Sequence, residues 1–154
     1  MFPIDSNGMF KNSGLTTLTY NADRIPDNCF ENCDSLTDVV ISRTIVYVGK
    51  NAFSKSNNLK TVEFVNNAGA EFIYEGAFSG CESLEKIILP DSKFEIESNV
   101  FKNCNKLTTV EFNTNSEITS NLGQVFKGCM NLETFVVNEN NKIYFKRYIL
   151  FMTN

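Results

Sequence analysis

Apolar residues recur along this chain at two spacings, one short and one long. The short one alternates: Leu18 and Tyr20, Val39 and Ile41, Val62 and Phe64, Ile87 and Leu89, Val110 and Phe112, and Phe135 and Val137 each enclose a variable residue. Period-two alternation marks a strand with one buried face. The long spacing is set by six phenylalanines, Phe10, Phe30, Phe53, Phe78, Phe101 and Phe126, at intervals of 20, 23, 25, 23 and 25 residues. Each opens the same phrase: FKNSGLTTLTY, FENCDSLTDVVI, FSKSNNLKTVEF, FSGCESLEKIIL, FKNCNKLTTVEF and FKGCMNLETFVV. Within the phrase a leucine recurs at Leu15, Leu36, Leu59, Leu84, Leu107 and Leu132. An aliphatic residue stands five places before the Phe at Ile25, Val48, Ile73 and Ile96, whereas the sixth unit has Asn121 there and Leu122 displaced by one.

A repeat this short cannot bury its apolar face alone, so successive units must stack on one another. Each unit predicts a strand, a turn, a short second strand and a tight turn carrying the Phe. Turn residues such as Asn66-Asn67-Ala68-Gly69, Pro90-Asp91 and Asn113-Thr114-Asn115 lie between these marks, where loops absorb length differences cheaply. The expected fold is a β-rich solenoid of about six coils, forming a single domain over residues 1–154. A parallel strand ladder should line the concave face, with short second strands and tight turns on the convex side. The repeats occupy about residues 10–137, and 138–154 form an irregular C-terminal unit or a truncated repeat. The first unit is one residue short between Phe10 and Leu15, as expected of an atypical terminal repeat.

Four of the five cysteines, Cys33, Cys81, Cys104 and Cys129, share the slot three residues after the Phe, where Ser13 and Ser56 stand in two other units. Recurring once per coil, they should form a row, whereas a zinc site needs four ligands converging on one point. Adjacent slots would present Cβ vectors that run parallel, a poor geometry for a disulfide, and five cysteines leave one over. Buried free thiols acting as small hydrophobes are expected. The chain has no histidine, which removes imidazole acid–base chemistry and Cys-His or Ser-His nucleophilic sites.

The phrases Ala77-Phe78-Ser79-Gly80-Cys81-Glu82-Ser83-Leu84 and Val125-Phe126-Lys127-Gly128-Cys129-Met130-Asn131-Leu132, with Ile87-Ile88-Leu89-Pro90, resemble the BspA-type (Treponema-type) leucine-rich repeat. The closing stretch from Asn140 to Phe151 is similar to the last unit of such arrays, with Arg147-Tyr148 where that family often has Asp-Gly. The resemblance implies a leucine-rich-repeat solenoid of a surface-exposed or secreted adhesion protein, without catalytic residues or cofactor. Cell surface or secreted is thus the expected location, with cytoplasmic as the alternative.

Charge agrees with a binding protein of modest polarity: 14 basic and 18 acidic residues leave a net −4. Without a Lys/Arg run the chain lacks the footprint of nucleic-acid binding, and Lys142, Lys146 and Arg147 are the nearest approach to a basic cluster. No segment reaches the ~20 apolar residues that membrane insertion requires. The opening MFPIDSNGMFKNSG has no basic or apolar region of the signal-peptide kind. The broken phrase NENNKIYFKRYILFMTN, without a clear polar cap, points to a fragment of a longer protein, since solenoids need capped ends.

Variable residues between strand anchors should face outward in two columns. One is Thr17, Asp38, Thr61, Lys86, Thr109 and Thr134; the other is Thr19, Val40, Glu63, Ile88, Glu111 and Val136. The first reads equally as a β-branched ladder that favours strand pairing. The second mixes apolar and acidic residues as a recognition strip does. A protein or glycan ligand, with host extracellular matrix among the candidates, is the expected partner. The alternatives are an intracellular interaction scaffold and a self-assembling array joined end to end through open strand edges. Glu63 and Glu111 would sit about 9.6 Å apart across Ile88, near the inverting-glycosidase spacing, yet nothing implies a pocket around them.

Overall fold

The computed structural model describes residues 7–41, 45–65, 70–113, 116–118, 122–137 and 142–143. Its strands alternate between a longer and a shorter kind. In chain order they are β1 (Thr17–Tyr20), β2 (Arg24–Ile25), β3 (Asp38–Ile41), β4 (Tyr47–Val48), β5 (Thr61–Phe64) and β6 (Phe72–Ile73). There follow β7 (Lys86–Ile88), β8 (Lys93–Ile96), β9 (Thr109–Glu111), β10 (Glu117–Ile118), a one-turn helix α1 (Leu122–Val125), β11 (Thr134–Val136) and β12 (Lys142–Ile143). Odd strands form one six-stranded sheet and even strands another, and every neighbouring pair is parallel. The expected solenoid is therefore the observed one.

Parallel stacking carries each apolar column through the molecule. The six rings from Phe10 to Phe126 stack face to face, with centroids 5.1–5.4 Å apart and planes within 9°. That is the offset-stacked range for aromatic pairs. Leu36, Leu59, Leu84 and Leu107 are fully buried beside this spine, as are Ile25, Val48 and Ile73 behind it.

Two backbone features shape the turn around each Phe. The residue two places after it is left-handed in all six units: Asn12, Asn32, Lys55, Gly80, Asn103 and Gly128, with φ between 57° and 79°. Two places before it, Gly8, Asn28, Asn51, Gly76 and Asn99 are left-handed too, at 52–69°. Glycine and asparagine tolerate this region best. Five of the six in the first set and all five in the second are asparagine or glycine, Lys55 being the exception. Six of the chain's 21 asparagines thus serve these turns.

The slot three places after the Phe is also explained. Its side chain donates to the carbonyl of the preceding unit's phenylalanine: Cys33 Sγ to Phe10 O at 3.1 Å, Ser56 Oγ to Phe30 O at 3.0 Å, and Cys81 Sγ to Phe53 O at 3.2 Å. Cys104 Sγ reaches Phe78 O at 3.2 Å and Cys129 Sγ reaches Phe101 O at 2.9 Å. All five cysteines are buried and free. Among the described residues no buried side-chain polar atom lacks a partner.

The sixth unit departs from the others. β6 pairs with the second half of β8, Ile73 facing Ile96, but β10 pairs with the first half, Ile118 facing Phe94. This two-residue slip leaves chain to spare, and α1 uses it by burying Leu122 and Val125. The displaced Leu122 thus keeps its place in the core. At the first unit Leu15 is 36% exposed. The turn at 66–69, residues 114–115 and the closing stretch, with Lys146, Arg147 and the Arg147-Tyr148 pair, lie outside the described residues, apart from β12.

Candidate functional site

Strand register alone decides which side chains share the outer face of the odd-strand sheet. Inward Val39, Val62, Ile87 and Val110 anchor the strands in the core. Their neighbours on either side must then point away. The register joins Thr17, Asp38, Thr61, Lys86, Thr109 and Thr134 in one row, and Thr19, Val40, Glu63, Ile88, Glu111 and Val136 in the other. All twelve predicted residues therefore stand on one surface.

Their exposure is less uniform than the pattern implied. Val136 is 44% exposed, but Val40 and Ile88 are half-buried. The apolar part of the strip is thus concentrated at β11. Polar residues hold one another across strands. Asp38 accepts from Thr61 Oγ1 at 2.6 Å and from Thr37 Oγ1 at 2.7 Å. These two hydroxyl bonds hold its carboxyl below the ordinary range. Lys86 Nζ lies 2.6 Å from Glu111 Oε2.

That ion pair bears on the carboxylate pair considered above. Glu63, Ile88 and Glu111 do form one row, but Glu111 is half-buried and engaged by Lys86. Among the described residues no group of three or more His, Cys, Asp or Glu is placed to hold a metal ion. The surface offers side chains for contact along a flat ladder.

Sequence reasoning passed over a second group of residues. On the outer face of the even-strand sheet Tyr47, Phe72 and Tyr74 cluster, with Tyr47 edge-on to Tyr74 at 5.6 Å and Phe72 stacked on Tyr74 at 6.0 Å. The Arg24 guanidinium lies 5.6 Å above the Tyr47 ring. A cleft of about 290 Å³ opens where β4 and β6 run into their Phe turns. The available signal was the run Phe72-Ile73-Tyr74, in which alternation around inward Ile73 places both aromatics outside.

Comparison with known proteins agrees with this geometry. The family model for the BspA type leucine rich repeat region matches residues 23–151 in six copies. A leucine rich cell surface protein from Faecalibacterium prausnitzii A2-165 superposes with a TM-score of 0.70 at 21% identity, over 92% of this chain and 36% of that one. A leucine-rich repeat protein from Bacteroides ovatus ATCC 8483 does so with a TM-score of 0.65 at 25% identity, over 81% and 31%. The chain spans about a third of the length of these two structures. No curated protein has a matching sequence. Among the described residues no helix is long and apolar enough to cross a membrane. The stacked Phe spine, the left-handed turns and the six matched copies have one reading: the chain belongs to the BspA-type leucine-rich repeat family.

Proposed function

We propose that this chain is a non-catalytic binding module of a cell-surface or secreted protein, and that it takes a protein ligand on the outer face of the odd-strand sheet. The observation that carries this reading is the pair of outward rows, in register across six strands. Five ladder spacings give the strip a width of about 24 Å, comparable with one side of a standard protein interface. Cross-strand bonds at Asp38 and the Lys86–Glu111 pair fix part of this surface before a partner arrives, which lowers the ordering cost of binding. The cell-surface description of the Faecalibacterium structure supports the location.

Impermeant labelling of intact cells, followed by a surface-plasmon screen of matrix proteins, tests both halves. Labelling is expected, and Glu63→Lys or Val136→Asp should weaken the captured partner about ten-fold, as loss of a central interface residue does. A chain protected on intact cells sinks the surface location and leaves the intracellular scaffold. Undiminished binding by both variants moves the interface off this sheet.

A second reading, end-to-end assembly, draws on exposed apolar residues at the two ends. Met9 and Leu15 lie at one, and Met130, Val136 and Val137 at the other. It predicts a sizing-column profile that depends on concentration. A profile unchanged on dilution rejects it.

A further inference from the structure

The cleft at the Phe-turn edge is lined by Lys50, Asn51, Glu75, Ser79, Asn99 and Lys102. Its polar groups are arranged from the backbone outward. Asn99 Nδ2 donates to Glu75 Oε1 at 3.3 Å, and Glu97 Oε2 accepts from the Glu75 backbone N–H at 2.8 Å, so Glu75 is held from two sides. Gly76, left-handed at φ 69°, lets Asn51 Oδ1 approach its backbone where a Cβ would collide with it. Among the described residues neither Lys50 nor Lys102 forms an ion pair. The aromatic cluster adjoins the lining residues along the chain: Tyr74 directly precedes Glu75 and Gly76, and Tyr47 precedes Lys50 by three residues.

The lining chooses among ligands. Two ammonium groups oppose a cation, while Glu75, with Glu97 behind it, opposes phosphate or sulfate. Amides, a hydroxyl, ammonium donors and a carboxylate acceptor together suit a ligand whose groups both donate and accept, as sugar hydroxyls do. Half-exposed aromatic rings alongside suit the apolar C–H face of the same ring. The volume lies at the lower end of the ~300–1,000 Å³ range for small-ligand sites, enough for a terminal sugar ring and not for a folded partner. We propose that Tyr47, Phe72 and Tyr74 together with this cleft bind a terminal residue of a neutral oligosaccharide. The site belongs to the even-strand sheet and its turns, so it is separate from the protein-binding strip and stands whether or not that strip has a partner.

The test is saturation-transfer NMR of the whole chain with a panel of neutral gluco-, galacto-, manno- and N-acetylglucosamine oligosaccharides. At least one is expected to receive saturation, with Tyr or Phe ring protons as the source. Tyr74→Ala and Lys102→Ala should each weaken it about ten-fold, the loss expected from one aromatic face or one charged donor. Glu63→Ala on the other sheet should leave it unchanged. If Tyr74→Ala fails to fold, the wild-type contact map decides: chemical-shift changes confined to residues 47–51, 72–79 and 99–102 uphold the site. No transfer to any sugar at roughly millimolar concentration overturns the proposal. So does binding that survives both variants, or that Glu63→Ala removes.

Discussion

Why the slot behind each phenylalanine accepts cysteine or serine follows from the carbonyl it meets. A thiol or hydroxyl supplies one short donor in a space where every neighbour is packed. Cys81→Ser should therefore change stability by less than about 1 kcal/mol, since Ser56 already shows the hydroxyl version of the same bond. Cys81→Ala should cost about 1 kcal/mol more than serine, and urea melts of the two variants separate the outcomes. Burial pushes the Cys29 thiol up to about 11 and that of Cys81 to about 12. The thiolate is the reactive form, so iodoacetamide at pH 8 should label these two only after unfolding. Labelling of either at the rate of a free thiol in the native protein would contradict their burial. Raised folded values also set a sign: the contribution of neutral Cys81 is complete below the ordinary value of 9.0 and is lost as pH rises through about 12. Cys81→Ser should remove that share of the alkaline decline. Gly49 carries a different constraint, because a Cβ there would lie 2.6–2.7 Å from Asp27 Oδ1, Asp27 N and Ile25 O. Gly49→Ala is expected to destabilise for lack of space, without any strain in φ.

At the level of elements, the phenylalanine spine and the strand pairs carry different loads. Phe78 is fully buried between Phe53 and Phe101, so Phe78→Ala should cost about 3–5 kcal/mol in urea melting. Phe10 is half-buried at the end of the stack, and its truncation should cost distinctly less. Asp38 shows how two strands are tied on the outside. Its carboxyl is held low by Thr61 first and Thr37 second, so its contribution is present above the unfolded value of 3.8 and is lost as pH falls through the lower folded one. Asp38→Asn should flatten that acid limb and leave the neutral-pH pH-dependence alone. Much of this architecture was legible, because anchors such as Phe78 and Leu84 repeat in one order and their columns need only counting. The slip at β8 was not. Phe94 and Ile96 are both apolar and both inward, so spacing alone cannot say which of them faces Ile118. The two outward rows were legible for the same reason as the core, whereas the Lys86–Glu111 pair crosses between them and depends on side-chain reach. Tyr47 and Phe72 went unread because the register position they share repeats no residue type: Arg24 and Glu95 hold it in the flanking strands.

Across the whole molecule, strands pair only between adjacent coils, with Asn113 Nδ2 reaching two coils back to Phe64 O, so stability should vary along the stack. Hydrogen exchange is expected to be slowest at the amides of β5 and β7 and fastest at β1 and β11. A single exchange rate for all four strands would mean that the coils unfold as one unit. The bonds between slot and carbonyl add a direction to this gradient. Each Phe carbonyl is laid down one coil before the side chain that will reach it, and the order is the same from Phe10 to Cys129. For Phe10, Phe53, Phe78 and Phe101 the carbonyl meanwhile accepts an N–H from its own turn. A ribosome emitting about 5–20 residues each second delivers a new coil every few seconds, and each arrives at a surface already holding its acceptor. The array is thus ordered to fold as it is made, with no finished coil waiting on a distant part of the chain.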